Sequence, residues 1–181
     1  MSKREYDIHY DLIARCKKGD RRAQQSLYEL YVKAMYNTAL RISGNGDDAK
    51  DILQESFVDM FMKLESFRME SSFGAWFKRI VVNKSLNHIR KKRPVFQDAA
   101  DIADVPMEED EAAPFEYDIK DVRSAAKELP EGYRLVFNLY MFEDFSHREI
   151  ASEMGISEAT SKSQLSRAKK KLRELVEMKA L

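Results

Sequence analysis

Residues 146 to 172 read SHREIASEMGISEATSKSQLSRAKKKL, and the glycine near their centre decides how the rest of the chain is read. Ser146 is a helix-capping residue type, and Ile150 and Ala151 after it sit where a short helix would turn inward. Gly155 supplies a left-handed turn position that a residue bearing a Cβ resists. Ile156 can fill the corner, and Ser157 can cap a second helix with Leu165, Ala168, Leu172 and Leu175 as its inward stripe. Two helices joined by so short a turn predict a helix-turn-helix, in which the small Ala151 permits close crossing.

The second of these helices is basic. From Ala159 to Arg173 its charged residues are Lys162, Arg167, Lys169, Lys170, Lys171 and Arg173, with no acid among them. Ser161, Lys162, Gln164 and Arg167 are expected on the outward face. Such a helix can enter a major groove, its first half at base edges and its lysine-rich half on phosphates. Composition alone would also allow a solvated basic helix; the turn signature favours DNA.

The 181-residue chain has only six glycines and four prolines among long runs of Leu, Lys, Glu, Arg and Ala, which predicts an all-α protein. A single cysteine, Cys16, excludes a disulfide framework and any cysteine-cluster zinc site, and suits a reducing cytoplasmic setting. MSKREYDIHYD lacks the apolar run of a secretion signal, and no stretch of about 18 apolar residues occurs, so a soluble protein without direct membrane insertion is expected. The formal charge of zero conceals a segregation. Residues 97–121 hold ten Asp or Glu and one Lys, leaving 30 basic against 21 acidic residues elsewhere. The folded parts are therefore expected to be basic.

Three helices are expected in the first 94 residues. Ala23, Leu27, Leu30, Ala34, Thr38 and Ile42 recur at helical spacing behind an N-cap at Asp20. SGNGDD breaks the chain, and Asp47 can cap a helix with Ile52, Leu53, Phe57, Met60, Phe61 and Leu64 inside. After a polar stretch from Ser66 to Ser72, a third helix carries Phe73, Trp76, Phe77, Ile80, Val81, Leu86 and Ile89 and stops at Pro94. Residues 95–120, with Pro106, Pro114 and few large apolar residues, read as an acidic flexible linker. Helical periodicity returns at residue 121, and Pro130 opens a further helix. The expected organisation is two small helical domains, 1–94 and 121–181, joined by that linker.

The third helix is also basic, with seven Lys or Arg and no acid between Lys78 and Arg93. Asn83, Asn87 and Arg90 share one polar face at i, i+4 and i+7. Asn can pair bidentately with adenine, and the terminal RKKR suits phosphates. The loop before it mixes Phe67 and Arg68 with Ser71 and Ser72, a mixture that suits unstacked bases. Spacing assigns Phe73, Trp76 and Phe77 to a core; for Phe67, core and base-stacking readings both stand.

On the second helix, Asp47, Asp51, Glu55 and Asp59 follow one another at i+4 steps. A solvated acidic face helped by the helix dipole ranks first, a docking face for a basic partner second, and a carboxylate metal site third. None of His9, His88 and His147 has the spacing used by di-iron helices, and no nucleophile-and-base constellation stands out, so no metal, cofactor or catalytic residue is expected.

Read in order, DDAKDILQESFVDMFMKL, FRMESSFGAWFKRIVVNKSLNHIRKKR and the C-terminal motif resemble the extracytoplasmic-function (ECF) group of the sigma-70 family of bacterial RNA polymerase sigma factors. The resemblance spans nearly everything but the linker and the first few residues. It implies a region 2 helical bundle before the linker and a region 4 helix-turn-helix after it. By that similarity, Asp48, Asp51, Gln54 and Glu55 dock on the coiled coil of the largest subunit of core RNA polymerase. Phe67, Arg68, Ser71, Ser72, Asn83, Lys84, Asn87 and Arg90 are implied to contact the promoter −10 element, the loop capturing a flipped base. Thr160, Ser161, Lys162, Gln164, Arg167 and Lys170 are implied to read the −35 element of promoter DNA. The polymerase flap and an anti-sigma factor are further partners that the resemblance implies. Ser161 stands where family members often have an apolar residue, Gln164 where Arg is common, and Met69 where the loop often has Gly.

Three functions are thus to be separated. One is a transcription-initiation specificity subunit without catalysis of its own; the second is a DNA-binding regulator that never joins polymerase. The third is a metal-dependent nucleic-acid enzyme built on Asp51, Glu55 and Asp59. A 26-residue linker spans at most about 85 to 90 Å, against roughly 70 Å for two turns of DNA. Two basic readers on one chain can therefore contact one duplex.

Overall fold

The computed structural model describes residues 3–92 and 119–179. The expected linker, 95–120, lies outside the described residues except for its last two positions. Among the described residues every regular element is helical, and the chain divides into two compact units, Met1–Ile89 and Arg90–Leu181.

The first unit opens with a helix that the sequence reading did not single out, α1 (Lys3–Lys17), which buries Ile13 and Cys16. Gly19 turns the chain with a φ of 80°, and Asp20 caps α2 (Arg21–Ser43) by accepting from the amides of Arg22 and Ala23. The same carboxylate takes two hydrogen bonds from the Arg15 guanidinium, at 3.0 and 2.7 Å, which chiefly hold it below the usual carboxylate range. Ala23, Leu27, Met35, Thr38, Ala39 and Ile42 form the buried stripe of α2, whereas Leu30 and Ala34, expected inside, are exposed. Tyr31, four residues after Leu27, takes the place expected for Leu30; its ring lies 5.2 Å from that of Phe73, and burial pushes its hydroxyl up to about 12.

Asn45, rather than the expected Asp47, caps α3 (Gly46–Lys63), and Asp47 and Asp48 fall in its first turn. There their charge complements the amide end of the helix. A 3₁₀ turn, Leu64–Ser66, ends α3, and the Ser72 hydroxyl accepts from the Ala75 amide at 3.2 Å where α4 (Phe73–Lys92) begins. Phe57 of α3 meets Phe77 of α4 edge to face, with ring centroids 4.8 Å apart. Both rings are buried; each such burial contributes about 1.5–3 kcal/mol.

The second unit consists of α5 (Ile119–Ala126), α6 (Glu131–Met141), α7 (His147–Met154) and α8 (Glu158–Lys179) around Leu135, Phe137, Leu139, Ile150, Ala168 and Leu172. α5 starts two residues before the expected return of periodicity, and Pro130 stands at the N-cap of α6. α7 and α8 form the expected helix-turn-helix. Ser146 and Glu149 make a reciprocal capping box, and Gly155 closes α7 in the left-handed region with a φ of 68°. The amides of Gly155 and Ile156 both donate to the Ala151 carbonyl, and the Ser157 hydroxyl accepts from the Thr160 amide at 2.9 Å. The buried stripe of α8 continues through Val176, with Leu175 only half-buried.

No heavy atom beyond its chain neighbours lies within 4 Å of where a Cβ would sit on Gly155. Gly155→Ala should therefore cost only its conformational strain, about 1 kcal/mol, read as a lower urea midpoint for the second unit. Gly155→Asn should cost less, because Asn tolerates the left-handed region.

Candidate nucleic-acid and docking interfaces

The two sides of α8 are set by its packing. Ser161 is 0% exposed and Gln164 is 2% exposed, so neither faces outward as expected. The physical reason is spacing: Ser161, Leu165, Ala168 and Leu172 follow at i, i+4, i+7 and i+11, one continuous inward stripe. Ser161 is satisfied there by His147, whose Nδ1 lies 2.9 Å from the serine hydroxyl. Gln164 keeps its Oε1 buried without a hydrogen-bond partner, beside Gly132 of α6. The opposite side carries Ala159, Lys162, Ser163, Ser166, Arg167 and Lys170 at i, i+3, i+4, i+7, i+8 and i+11, all exposed or half-buried. The sequence reading did not place Ser163 and Ser166 on an outward side. Thr160 is half-buried at the turn, its hydroxyl 2.8 Å from that of Ser157.

His147 joins three helices of the second unit. Its ring stacks on Tyr140 of α6 at 4.7 Å, and its Nδ1 meets Ser161 of α8. Burial lowers its pKa, and Lys162 and Lys169 push the same way against Glu158.

In the first unit, the outer side of α3 presents Asp51, Gln54 and Glu55 to solvent. Asp48 is turned toward α4, its Oδ1 3.3 Å from His88 Nε2 and its side chain only 19% exposed. That pair is close but not aligned as a hydrogen bond, since His88 Nε2 has no such partner. Lys84 lies on the same seam, 2.9 Å from Asp59 and 3.5 Å from Glu55. A hydrogen bond from Lys84 is the main reason that Asp59 sits below the usual carboxylate range, and the same bond raises Lys84. The lysine grouped with DNA contacts is thus engaged inside its own unit. Asn83, Asn87 and Arg90 of the same helix are exposed.

The loop between α3 and α4 has an inner and an outer side. Phe67, for which two readings stood, is buried at 6% exposure, tilted on Trp76 at 5.0 Å and edge-on to Phe73 at 5.5 Å. The core reading of Phe67 is the one its packing favours, since Phe73 is buried and Trp76 is half-buried against the same core. Met69, half-buried against the same core, holds a left-handed φ of 61°. Arg68, Glu70, Ser71 and Ser72 are exposed. Among the described residues no group of three or more His, Cys, Asp or Glu is placed to hold a metal ion, and no helix is long and apolar enough to cross a membrane.

An acidic helix face, a small polar loop, a basic helix and then a helix-turn-helix is the order of parts in one class of protein. The Sigma-70 region 2 family model matches residues 27–95 and the Sigma-70 region 4 model matches residues 119–172, which defines a sigma-70 protein. The ECF RNA polymerase sigma-E factor of Haemophilus influenzae (strain ATCC 51907 / DSM 11121 / KW20 / Rd) is 30% identical over 182 residues, covering 93% of each chain. The ECF RNA polymerase sigma factor SigW of Bacillus subtilis (strain 168) is 29% identical over 175 residues, 90% of this chain and 93% of its own. Among solved structures, the sigma factor RpoE in complex with the anti-sigma factor NepR from Bartonella quintana is similar with a TM-score of 0.55 at 28% identity, over 84% of this chain and 96% of that one. The chain belongs to the ECF group of RNA polymerase sigma factors.

Gln164→Leu should stabilise the second unit by about 1 kcal/mol in urea unfolding by removing an unpaired buried oxygen. Its base preference in a −35 selection assay should match the parent's; a changed preference would return Gln164 to the reading face. A second expectation concerns pH. Unfolded imidazole binds its proton near 6.5, above the folded value, so proton uptake between the two favours unfolding. The contribution of His147 is therefore complete above that pH and lost as pH falls through the folded value. Urea midpoints of the second unit measured across pH should show this slope in the parent and lose it in His147→Phe.

Proposed function

We propose that this protein acts as the promoter-specificity subunit of bacterial RNA polymerase, working in the cytoplasm and performing no catalysis of its own. The first unit docks on the coiled coil of the polymerase's largest subunit through Asp51, Gln54 and Glu55 on the outer side of α3. Arg68, Ser71 and Ser72 of the loop receive a base flipped from the opened −10 element, and Asn83, Asn87 and Arg90 meet the adjoining DNA. The second unit reads the −35 duplex through Lys162, Ser163, Ser166 and Arg167, with Lys170 on phosphate. The acidic segment at 95–120 tethers the two, and its reach of at most about 85 to 90 Å suffices for two DNA turns.

One observation carries this reading. Two separate units each present a basic helix, α4 with no acid and α8 with none from Ala159 to Arg173, and one of them also bears an acidic face that DNA would repel. A regulator acting on DNA alone has no use for that acidic face. A sigma factor needs it for the protein that brings it to promoters. The structural relative bound to NepR makes an anti-sigma factor a further partner to seek.

Asp51 tests docking better than Glu55, since Glu55 also pairs with Lys84. Asp51→Lys should weaken retention on core polymerase by roughly two orders of magnitude, the several kcal/mol of a like-charge contact. Run-off transcription from genomic fragments should fall with it, while duplex −35 binding and helix content stay as in the parent. Retention of Asp51→Lys on core polymerase at parental affinity would count against the docking role.

A further inference from the structure

We propose that Lys17, at the end of α1, is a positioning residue for the loop that receives the flipped base; this rests on the capture role given to that loop above. The Lys17 ammonium reaches across the fold to two backbone carbonyls, Glu65 at 3.4 Å and Phe67 at 3.3 Å. Both belong to the 3₁₀ turn and its C-cap at the end of α3, where helix carbonyls run out of amide partners and carry partial negative charge. Phe67 is the last buried residue before the chain leaves for Arg68 to Ser72. Its ring is fixed between Phe73 and Trp76, and Lys17 fixes its carbonyl.

The lysine can act as a strut because its own base is held. One residue earlier Cys16 is buried, and two residues earlier Arg15 grips Asp20, the cap of α2, with bonds of 3.0 and 2.7 Å. On the far side of Phe67, Met69 occupies the left-handed region, which a residue with a Cβ keeps only where its surroundings over-determine it. Phe67 and Lys17 form the upstream anchor of that strained turn, Met69 packs inward, and the Ser72 cap of α4 closes the far end. A loop ordered before it meets DNA loses less freedom on capturing a base. Lys17 lies outside the residues 27–95 matched to region 2, so nothing in that match assigns it a role.

The test uses holoenzyme assembled from core polymerase and the full chain, with promoter DNA carrying the fluorescent analogue aminopurine at one non-template position of the −10 element at a time. In the parent, one position should brighten as its base leaves the stack. Lys17→Met, which keeps most of the stem, should reduce that brightening about fivefold, the scale of one hydrogen bond. Core retention should be unchanged and the thermal melt lowered by only a few degrees, and Lys17→Arg should restore the signal because its guanidinium can reach the same carbonyls. An unchanged signal in Lys17→Met overturns the inference. So does an equal loss of binding to every DNA, duplex −35 included, which would make Lys17 a phosphate contact. A lower melt together with lost core retention would make it merely structural and overturns it as well. If no position brightens in the parent, the capture reading fails and the inference falls with it.

Discussion

The contact between Phe57 and Phe77 fixes what the first unit can show to other molecules. With the two rings 4.8 Å apart and buried, the remaining sides of α3 and α4 are determined by helical geometry. Asp51, Gln54 and Glu55 must then face water on α3, and Asn83, Asn87 and Arg90 on α4. At the seam between them opposite charges meet, Lys84 with Asp59 and Glu55. These partly exposed pairs contribute a few tenths of a kcal/mol each and follow the apolar packing rather than drive it. They allow an acidic face and a basic face to share one small bundle.

Wherever apolar spacing and capping chemistry pointed the same way, the fold was legible in the sequence. Asp20, Ser146, Gly155 and Ser157 stand where their residue types place them, because each solves a purely local backbone problem. Tertiary packing decided the rest. Ser161 shares the stripe of Leu165, Ala168 and Leu172, and its spacing alone marks it as buried; its polar type argued for the surface, and that argument lost because His147 supplies a partner. Ser163 and Ser166 could have been found by the same counting on the opposite side. Lys84 was not legible, since Asp59 and Glu55 lie on another helix and only the assembled bundle brings them near; for Phe67 the core reading was open, and packing on Phe73 and Trp76 decides it. α1 escaped notice because its inward residues, Leu12, Ile13 and Cys16, are few and lie close to its end.

The loop from Phe67 to Ser72 shows how a short segment can be stiff without regular structure. Its exposed residues are small or charged and could not order themselves. Order comes from Phe67 and Met69, whose side chains enter the core, and from hydrogen bonds at both ends. The left-handed backbone at Met69 is tolerated because packing its side chain against the core offsets the strain. Glycine there would remove the strain and the anchor together, so the two residue types give loops of different stiffness.

On the proposed function, the outward side of α8 limits what the second unit can do alone. Ser163 and Ser166 are short, and the Ser163 hydroxyl is already bonded to the Thr160 carbonyl, so Lys162 and Arg167 are left as the long side chains able to reach base edges. Affinity must then come largely from phosphates, through a term that weakens steeply with salt. A single unit bound this way would be released readily. A flexible tether to a second unit, as proposed, would raise the local concentration of each for the other's DNA to about the millimolar range, provided it spans the sites. The two modest readers become a specific one only when both sites lie on one duplex at a separation the linker can reach. On that proposal, spacing would set promoter choice as much as the bases that either helix touches.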